Sequence, residues 1–422
     1  MLTPAVKSSS LFPSYNLPAH RGLILILVVN AFLFGSALLH VFSISGAVPL
    51  ALNLLATLYF VLKKNRSVGY PHMVLIGLIL FSTLVQVVIW NDGSYLRYAI
   101  FPVSTILILM VASRADLDRM VDAISVLALV VLLLAAIAFV SVFAGVEPLA
   151  TLENRDGRNL YVFFSTLSNS YNVNANIVRP SGIYDEPGAL SFFVCAIACL
   201  RTFLGKSERL TWVLLGLGLV TLSLAHVIYM VAHFLAVARL RTYLTPAPIV
   251  IVVAVLAVVS SGLGHVFYEK LILRFESAEG SKVVAGDNRS ERLSGALDII
   301  EADKSVLVVG IGPGCVKSIS TCELDDIPPF SAAPLEPLIL LGFVQGWLYY
   351  LMLMMLFAAP LFGRKYLVVF GVALLLLQRP YVMHIGYSFY SFLIFFMFSG
   401  AVIDYFRSEL QEKRPTFVSR GE

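Results

Sequence analysis

The chain has 422 residues, of which 59% are hydrophobic and only 13% are charged, with a mean hydropathy of +0.86. Soluble domains carry about 25% charged residues, so this composition predicts a polytopic membrane protein and excludes an ordinary soluble domain. The net charge of +4 indicates no particular partner, and the chain contains no motif for binding nucleic acid.

We predict an all-α bundle of about 12 membrane helices, because apolar segments follow one another along almost the whole chain. The stretch 210–240 is too long for one crossing of about 20 residues, and the Thr-Leu-Ser break at 221–223 predicts two short helices there. The other predicted helices lie at 22–41, 47–62, 73–90, 96–112, 121–145, 189–204, 248–263, 337–356, 366–377 and 387–403.

Lys and Arg concentrate in the tails and in alternate loops, whereas Asp and Glu concentrate in the other loops. The positive-inside rule therefore predicts a multi-pass protein with both termini in the cytoplasm and its two longest loops outside the membrane, on the periplasmic side in a cell that has one. The predicted segments are a cytoplasmic tail (1–20), membrane helices one to five (21–145), a first large periplasmic loop (146–186), helices six to nine (187–264), a second large periplasmic loop (265–336), helices ten to twelve (337–404) and a cytoplasmic tail (405–422).

The ten residues 179–188, Arg-Pro-Ser-Gly-Ile-Tyr-Asp-Glu-Pro-Gly, stand directly before the sixth apolar segment. Asp185 is a suitable N-cap, and Pro187 then falls in the first turn, where its missing N–H costs nothing. The free N–H groups of this helix end, together with the Arg179 guanidinium, would bind a phosphate-like anion. A capped membrane helix with an interfacial arginine explains the same residues and stays open.

The first large loop is rich in Asn, Tyr and Arg, as in the stretch Asn-Ser-Tyr-Asn-Val-Asn-Ala-Asn at 169–176. Amide and aromatic side chains together suit sugar rings, whose hydroxyls need donors and acceptors and whose C–H faces stack on aromatic rings. A solvated polar loop without a sugar ligand explains the same composition equally well.

The second large loop carries apolar residues at helical spacing, which predicts two amphipathic helices lying over the bundle. Asp287 or Asn288 would cap the second helix and place Arg289 and Arg292 on one face near its start. The Gly-x-Gly-x-Gly turn within 308–314 is only a weak indication of nucleotide binding. The apolar residues are Phe267, Leu271 and Phe275 in the first helix, and Leu293, Leu297 and Ile300 in the second.

The four cysteines indicate little chemistry. Cys195 and Cys199 lie one turn apart in a membrane helix and are expected to be packing residues. Cys315 and Cys322 flank a short loop and would pair if that loop faces an oxidising compartment. An acidic run, Glu323, Asp325 and Asp326, is expected to be hydrated rather than metal-binding, so we predict no metal and no cofactor.

Three segments, in this order, resemble the O-antigen polymerase (Wzy) class of the O-antigen ligase/polymerase superfamily. The stretch 179–187 resembles its Arg-x-x-Gly…Glu-Pro signature. Residues 288–314, Asn-Arg-Ser-Glu-Arg to Gly-Ile-Gly-Pro-Gly, resemble its arginine-containing outer loop. The stretch 335–346, Leu-Glu-Pro-Leu-Ile-Leu-Leu-Gly-Phe-Val-Gln-Gly, resembles the segment that re-enters the membrane after that loop. The likeness covers most of residues 150–350.

The resemblance implies a GT-C-like glycosyltransferase with a helical periplasmic cap. Such an enzyme transfers glycan from undecaprenyl diphosphate to another glycan on the periplasmic face of the bacterial inner membrane. The implied partners are an undecaprenyl-diphosphate-linked oligosaccharide, the growing polysaccharide, membrane lipids, a chain-length regulator and a flippase. The ligases of the superfamily carry a His-Asn pair before the re-entering helix, where this chain has Ser-Ala-Ala-Pro at 331–334. The resemblance therefore favours a polymerase of O-antigen, capsule or exopolysaccharide over a ligase that transfers glycan to lipid A-core.

This chemistry needs cations for the diphosphate leaving group and a base for the attacking hydroxyl. Arginine suits the first task because its guanidinium stays charged and binds phosphate through two hydrogen bonds, although each arginine could equally snorkel at the interface. The predicted diphosphate ligands are Arg179, Arg289 and Arg292, followed by Arg97 and Arg379. The predicted bases are Glu186, Glu336 and His384.

A lipid-linked oligosaccharide flippase or a secondary transporter is the competing, non-enzymatic class. Such proteins place charged residues near the bilayer midplane and often consist of two similar halves. In this chain the predicted helix interiors are almost free of charge, and the ionisable residues lie in the predicted outer loops, which favours an enzyme.

Overall fold

The computed structural model describes residues 25–27, 29–34, 36–37, 39, 44–64, 70–153, 159–172, 177–237, 289–312, 333–378, 380 and 385–412. Within these ranges the chain is mostly helical. The helix predicted at 248–263, and the amphipathic helix predicted around Phe267, Leu271 and Phe275, lie outside them.

The described helices are α1 (Ala47–Lys64), α2 (Tyr70–Trp90), α3 (Leu96–Val111), α4 (Arg114–Phe143), α5 (Pro187–Phe203), α6 (Glu208–Gly218), α7 (Leu224–Val237), α8 (Arg289–Ala302), α9 (Val306–Val309), α10 (Glu336–Ala358), α11 (Leu367–Gln378) and α12 (Ile385–Glu412). Six candidate membrane spans lie in the described part of the chain, within α1, α2, α3, α4, α10 and α12. These spans confirm an α-helical membrane protein. Twelve crossings, a GT-C-like architecture and the orientation of the termini stay predictions.

α5 is the central helix of the bundle. It directly follows the 179–188 stretch, and nearly all its side chains from Ala189 to Arg201 are buried. It packs against α4, α6, α7, α11 and α12. A helix that is apolar on every side needs neighbours on every side, which explains its central place.

α6 and α7 form a hairpin. The predicted break between them is confirmed, because Leu222 adopts left-handed backbone geometry (φ 48°) between the two helices. Glu208 Oε2 lies 3.3 Å from His233 Nε2, so α7 returns alongside α6. The helices have 11 and 14 residues, or about 16 and 21 Å at 1.5 Å per residue, less than the apolar core of a bilayer of about 30 Å. The described part of each helix is therefore shorter than a full crossing, and the residues that follow Val237 lie outside the described part of the chain.

The helix predicted at 22–41 is interrupted by a tertiary contact. A π-helix covers Val29–Leu33, and Ser36 and Ala37 are not helical. The Ala37 N–H donates to the carbonyl of Ile183 at 3.0 Å, and Ser36 Oγ donates to the same carbonyl at 3.2 Å. The first apolar segment is thus tied directly to the 179–188 stretch.

The first large loop contains strands, which its polar composition did not predict. β1 (Ala150–Glu153), β2 (Asn159–Val162) and β3 (Leu167–Ser168) form an antiparallel sheet in this order, and β4 (Tyr171–Asn172) pairs with β5 (Ile177–Val178). Tyr161, Phe163 and Tyr171 pack edge to face with one another, 5.4–5.5 Å between ring centroids, and against α4. These aromatic rings therefore build a small core, in which Tyr161 and Tyr171 stay half-buried, and sugar binding by this loop stays a prediction.

A buried ion pair joins the end of α1 to the start of α4. α4 begins at Arg114, seven residues before the predicted start, because Ser113 and Asp116 form a capping box there. Lys64 Nζ lies 2.6 Å from Asp116 Oδ2, and both side chains are almost fully buried. Ser113 Oγ and N–H donate to the same carboxylate oxygen.

We expect Lys64→Met to lower the free energy of unfolding by about 3–5 kcal/mol, because it leaves a buried carboxylate without its cation. Thermal unfolding of the purified protein in detergent, followed by intrinsic fluorescence, measures the loss. The control is Asp118→Asn, which removes two ion pairs near the surface. Asp118 Oδ1 lies 3.6 Å from Nε of the half-exposed Arg114 and 3.4 Å from Lys206 Nζ. Solvent screens those pairs, so the control should cost at most about 1 kcal/mol. Equal losses in the two variants would contradict this role of the Lys64–Asp116 pair.

Candidate functional site

α10 is broken one turn and a half after its start. Gly342 has φ 59° and ψ −178°, a conformation that essentially only glycine adopts. The carbonyls of Ile339, Leu340 and Leu341 directly precede this break, and each accepts a hydrogen bond from outside the helix. Backbone groups inside a membrane span must be satisfied by other parts of the protein, so these three carbonyls need external donors.

The turn after α9 supplies two of these donors. The Ile311 N–H donates to the Ile339 carbonyl at 2.7 Å, and the Gly312 N–H donates to the Leu340 carbonyl at 3.2 Å. The approach is close enough that a β-carbon on Gly310 would lie 2.6 Å from the Leu340 carbonyl oxygen. The Gly-rich turn is therefore a structural clasp for the broken helix, and the weak nucleotide-loop interpretation finds no support in this geometry.

α2 completes the arrangement. Gln86 Nε2 donates to the carbonyl of Leu341, the last of the three carbonyls before the break. It also donates to the Val309 carbonyl at 3.1 Å. Trp90 Nε1 also donates to the Val309 carbonyl, at 3.0 Å. Together, Gln86, Trp90 and the 310–312 turn hold the start of α10 in place; we call this set of contacts the Gly342 clasp.

A cavity of about 30 Å³ lies beside the Gly342 clasp, among α2, α3, α10 and α12. Its polar lining comes from Ser82, Thr83, Arg97, Tyr98 and Gln345, and its apolar lining includes Phe101, Trp347 and Phe392. This volume accommodates one or two water molecules or a single ligand hydroxyl. A cation and an amide thus line a cavity inside a bundle whose walls are otherwise apolar.

Glu336, a predicted base, lies next to this cavity. It is the first residue of α10 and is half-buried. The Tyr350 hydroxyl donates to the Pro334 carbonyl at 3.4 Å, which holds the residues just before Glu336 against the part of α10 that lines the cavity. Glu336 itself is not among the lining residues. The structure therefore brings Glu336 and Arg97 to the same end of the bundle, around one small polar site.

Arg179 lies elsewhere, at the tip of the α6–α7 hairpin. Its Nε donates to the Thr221 carbonyl at 3.2 Å, and its Nη2 donates to the Leu222 carbonyl at 3.1 Å. A guanidinium beside the carbonyl end of a helix stabilises that end. Arg179 thus has a structural role in capping the hairpin tip, beside any role towards a ligand.

The start of α5 differs by one residue from the prediction. The N-cap is Glu186 and not Asp185, because Glu186 has extended backbone geometry and Pro187 is the first helical residue; no side chain caps this end. Glu186 and Asp185 are both half-buried. Burial raises the pKa of the neighbouring Tyr184 phenol well above its usual range, so this hydroxyl stays neutral.

α8 begins at Arg289 as predicted, but it presents a different face to the protein. Ala296 and Ile299 are buried against the start of α10, whereas Leu293 and Leu297 are exposed. The small Ala296 allows a closer approach than leucine would. Arg292 is half-buried on this helix, and the side chain of Arg289 lies outside the described residues, so convergence of these arginines with Arg179 stays a prediction.

Several predicted residues lie outside the described part of the chain. They are Arg379, His384, Cys315, Cys322, Glu323, Asp325 and Asp326. Within the described ranges no group of His, Cys, Asp and Glu side chains is arranged to hold a metal ion.

The buried residues His226, Cys195 and Cys199 lie where α5, α6 and α7 pack together. His226 Nε2 lies 2.8 Å from the Leu215 carbonyl, and its Nδ1 lies 3.5 Å from the Cys195 sulfur. Cys199 is a free, buried thiol and lies in α5, one turn after Cys195. These contacts connect α5, α6 and α7.

Gln345, Ser82 and Thr83 were absent from the predicted site. The signal that could have found them is a polar side chain inside an apolar segment, since such residues are rare in membrane helices and often functional. Ser82, Thr83 and Gln86 interrupt the segment 73–90, and Gln345 interrupts 337–356.

No family model, no curated protein and no solved structure matches this chain. The described helices define an α-helical membrane protein, and its function is inferred from its residues alone.

We expect Gly342→Ala to prevent stable folding or to lower the unfolding midpoint strongly. A β-carbon at this position would lie 2.3 Å from the Val308 carbonyl oxygen, in a backbone conformation that alanine rarely adopts. Gly346→Ala on the same helix is the control, since its β-carbon would meet its nearest neighbour, the Pro337 carbonyl oxygen, at 3.4 Å. Yield from size-exclusion chromatography and thermal unfolding compare the two variants. A Gly342→Ala protein as stable as Gly346→Ala would show that the close crossing does not exist.

Proposed function

We propose that this protein is a membrane glycosyltransferase that polymerises undecaprenyl-diphosphate-linked repeat units into a surface polysaccharide. The arrangement around the Gly342 clasp carries the proposal. Arg97 lines the polar cavity, and Glu336 begins the helix that supplies Gln345 to it, in the stretch 335–346 that resembles the re-entering region of the polymerases. The start of α10 lies in the stretch 335–346 that carries this resemblance, and the break between α6 and α7 at Leu222 fits the same pattern.

The reaction requires two kinds of groups. The acceptor hydroxyl attacks the anomeric carbon of the donor glycan, the bond to the diphosphate breaks, and its electron pair leaves with the diphosphate. A base takes the hydroxyl proton, and cations stabilise the leaving diphosphate. We assign the base to Glu336 ahead of Glu186 and His384, because Glu336 adjoins the polar cavity.

The arginines remain the proposed diphosphate ligands, but Arg179 no longer comes first among them. Arg179 already donates two hydrogen bonds to the hairpin tip, which a diphosphate ligand would have to share. Arg292 on α8 and Arg97 on α3 are half-buried at elements that meet the start of α10. We therefore place Arg292, with Arg289 and Arg379, at the diphosphate, and Arg97 nearer to the acceptor.

Two alternatives stay open and are separated by experiment. A ligase would transfer the same lipid-linked glycan to lipid A-core and would leave intact lipid-linked polymer when it is deleted. A flippase or transporter would need charged residues near the middle of the bundle. Of the described residues, buried charged side chains occur near helix ends, as at Lys64, Asp116 and Arg201.

The proposed outer position of the Glu336 region predicts the reactivity of introduced cysteines. In a background without the four native cysteines, Lys304→Cys should react with a membrane-impermeant thiol reagent in intact spheroplasts, because residue 304 is exposed beside α9. Arg119→Cys, exposed near the start of α4, should react only after permeabilisation. The opposite pattern would reverse the proposed orientation, and the catalytic site would then face the cytoplasm.

Deletion of the gene should leave single repeat units on the lipid carrier, visible as loss of the polysaccharide ladder on a gel. Complementation with Glu336→Gln should restore little or no ladder, because loss of a general base lowers turnover by about 10²–10⁴-fold. The purified variant should still bind the donor lipid, which separates the chemical step from binding.

Glu301→Gln on the exposed end of α8 is the matched control and should restore the full ladder. A wild-type ladder with Glu336→Gln would reject Glu336 as the base and direct the test to Glu186 and then His384. A deletion strain that keeps lipid-linked polymer but loses surface glycan would identify a ligase instead.

A further inference from the structure

The amide of Gln345 has a defined orientation in the cavity beside the Gly342 clasp. Its Nε2 donates to Thr83 Oγ1 at 3.0 Å and to the Tyr95 carbonyl at 3.2 Å. The Thr83 hydroxyl donates its own proton to the Ile79 carbonyl at 2.8 Å, so it acts as an acceptor towards Gln345. Because both neighbours accept, the nitrogen must face them, and the amide cannot be turned round.

The other end of this amide is an unused acceptor. Gln345 Oε1 is buried and has no hydrogen-bond partner among the described residues. A buried polar atom without a partner costs about 1–3 kcal/mol, so such an atom in a cavity indicates a site for a donor. The cavity volume of about 30 Å³ leaves room for that donor.

Arg97 lines the same cavity and needs an acceptor, whereas Gln345 Oε1 needs a donor. Its Nε donates to the Ser94 carbonyl at 3.3 Å, and the guanidinium carries the positive charge of this site. A guanidinium has donors only, so its partner must accept hydrogen bonds. The group that fits this cavity therefore donates at Gln345 and accepts at Arg97.

This combination discriminates between ligand classes. A phosphate oxygen would satisfy Arg97, but it would meet the oxygen of Gln345 as a second acceptor. An ammonium group would satisfy Gln345, but Arg97 would repel it. A hydroxyl both donates and accepts, and Phe101, Trp347 and Phe392 offer apolar surface to the C–H groups that a sugar carries next to its hydroxyls.

We propose that the cavity between Gln345 and Arg97 binds one hydroxyl of a sugar of the acceptor glycan. This inference rests on the proposed function, and it places the acceptor beside Glu336 while the diphosphate binds at other arginines. Gln345 and Arg97 are then binding residues for the acceptor and do not contact the leaving group.

Trp347 provides a direct measurement, because it lines the cavity and the chain has only three tryptophans. The probe is the oligosaccharide released by mild acid from the host's own surface polysaccharide. We expect a saturable change in tryptophan fluorescence that Trp347→Phe abolishes. Gln345→Met should weaken binding about 3- to 10-fold, and Arg97→Met about 10- to 100-fold, the ranges for losing a neutral and a charged hydrogen bond.

Gln86→Met is the matched control, since Gln86 is also a buried glutamine that donates to backbone carbonyls, but it does not line the cavity. It should lower stability and leave oligosaccharide affinity per folded molecule unchanged. If Gln345→Met does not fold, Arg97→Met tests the same cavity, because Arg97 also lines it and is only half-buried. Unchanged affinity in both variants, or a wild-type signal that pyrophosphate displaces, would overturn the inference.

The same protein preparations separate this inference from the proposed function. Polymerisation of lipid-linked repeat units by wild type, with unchanged affinity in both cavity variants, would overturn the cavity assignment alone. Oligosaccharide binding that depends on Gln345 in a wild-type protein that does not polymerise would support the cavity and reject the polymerase. A wild-type protein that does not bind the oligosaccharide would overturn the cavity assignment, whatever its polymerase activity.

Discussion

The structure depends on how the protein holds the break at Gly342, where three backbone carbonyls accept hydrogen bonds from other parts of the chain. In a membrane such groups have no water to bind, and each orphaned group costs several kcal/mol. Ile311, Gly312 and Gln86 supply the donors, so the end of α2, the turn after α9 and the start of α10 must lie together. This requirement positions α8 as well, because its buried face packs on the same segment.

The second organising region is the stretch before α5. Its backbone is held on several sides, because the Ile183 carbonyl accepts from the first apolar segment, the Ser181 N–H donates to the Leu167 carbonyl, and Ser181 Oγ donates to the Tyr184 carbonyl. Arg179 extends from this stretch to the hairpin tip and stabilises the break between α6 and α7. An arginine that sequence reasoning assigns to a ligand can thus be needed first for the fold.

These two regions explain why polar chemistry collects at one end of an apolar bundle. Broken helices expose backbone dipoles, and polar side chains such as Gln86, Thr83 and Gln345 are retained where they bind those dipoles or one another. Once such a network exists, a small cavity within it can hold a polar ligand without an additional desolvation penalty. The proposed acceptor site is of this kind, with Gln345 serving the fold through its nitrogen and the ligand through its oxygen.

The sequence by itself determined the membrane class, most helix positions and the break at 221–223, because hydropathy and helix-breaking residues act over a few neighbouring positions. It also indicated the start of α8 and the first helical turn at Pro187. It missed the strands of the first large loop and the interruption at Ser36 and Ala37, which depend on contacts with distant segments. The pairing of the Gly310 turn with Gly342, the face that α8 buries and the cavity of Gln345 and Arg97 were decided only by the tertiary structure. Each joins residues far apart in the chain, and no local pattern records which distant carbonyl a given amide will satisfy.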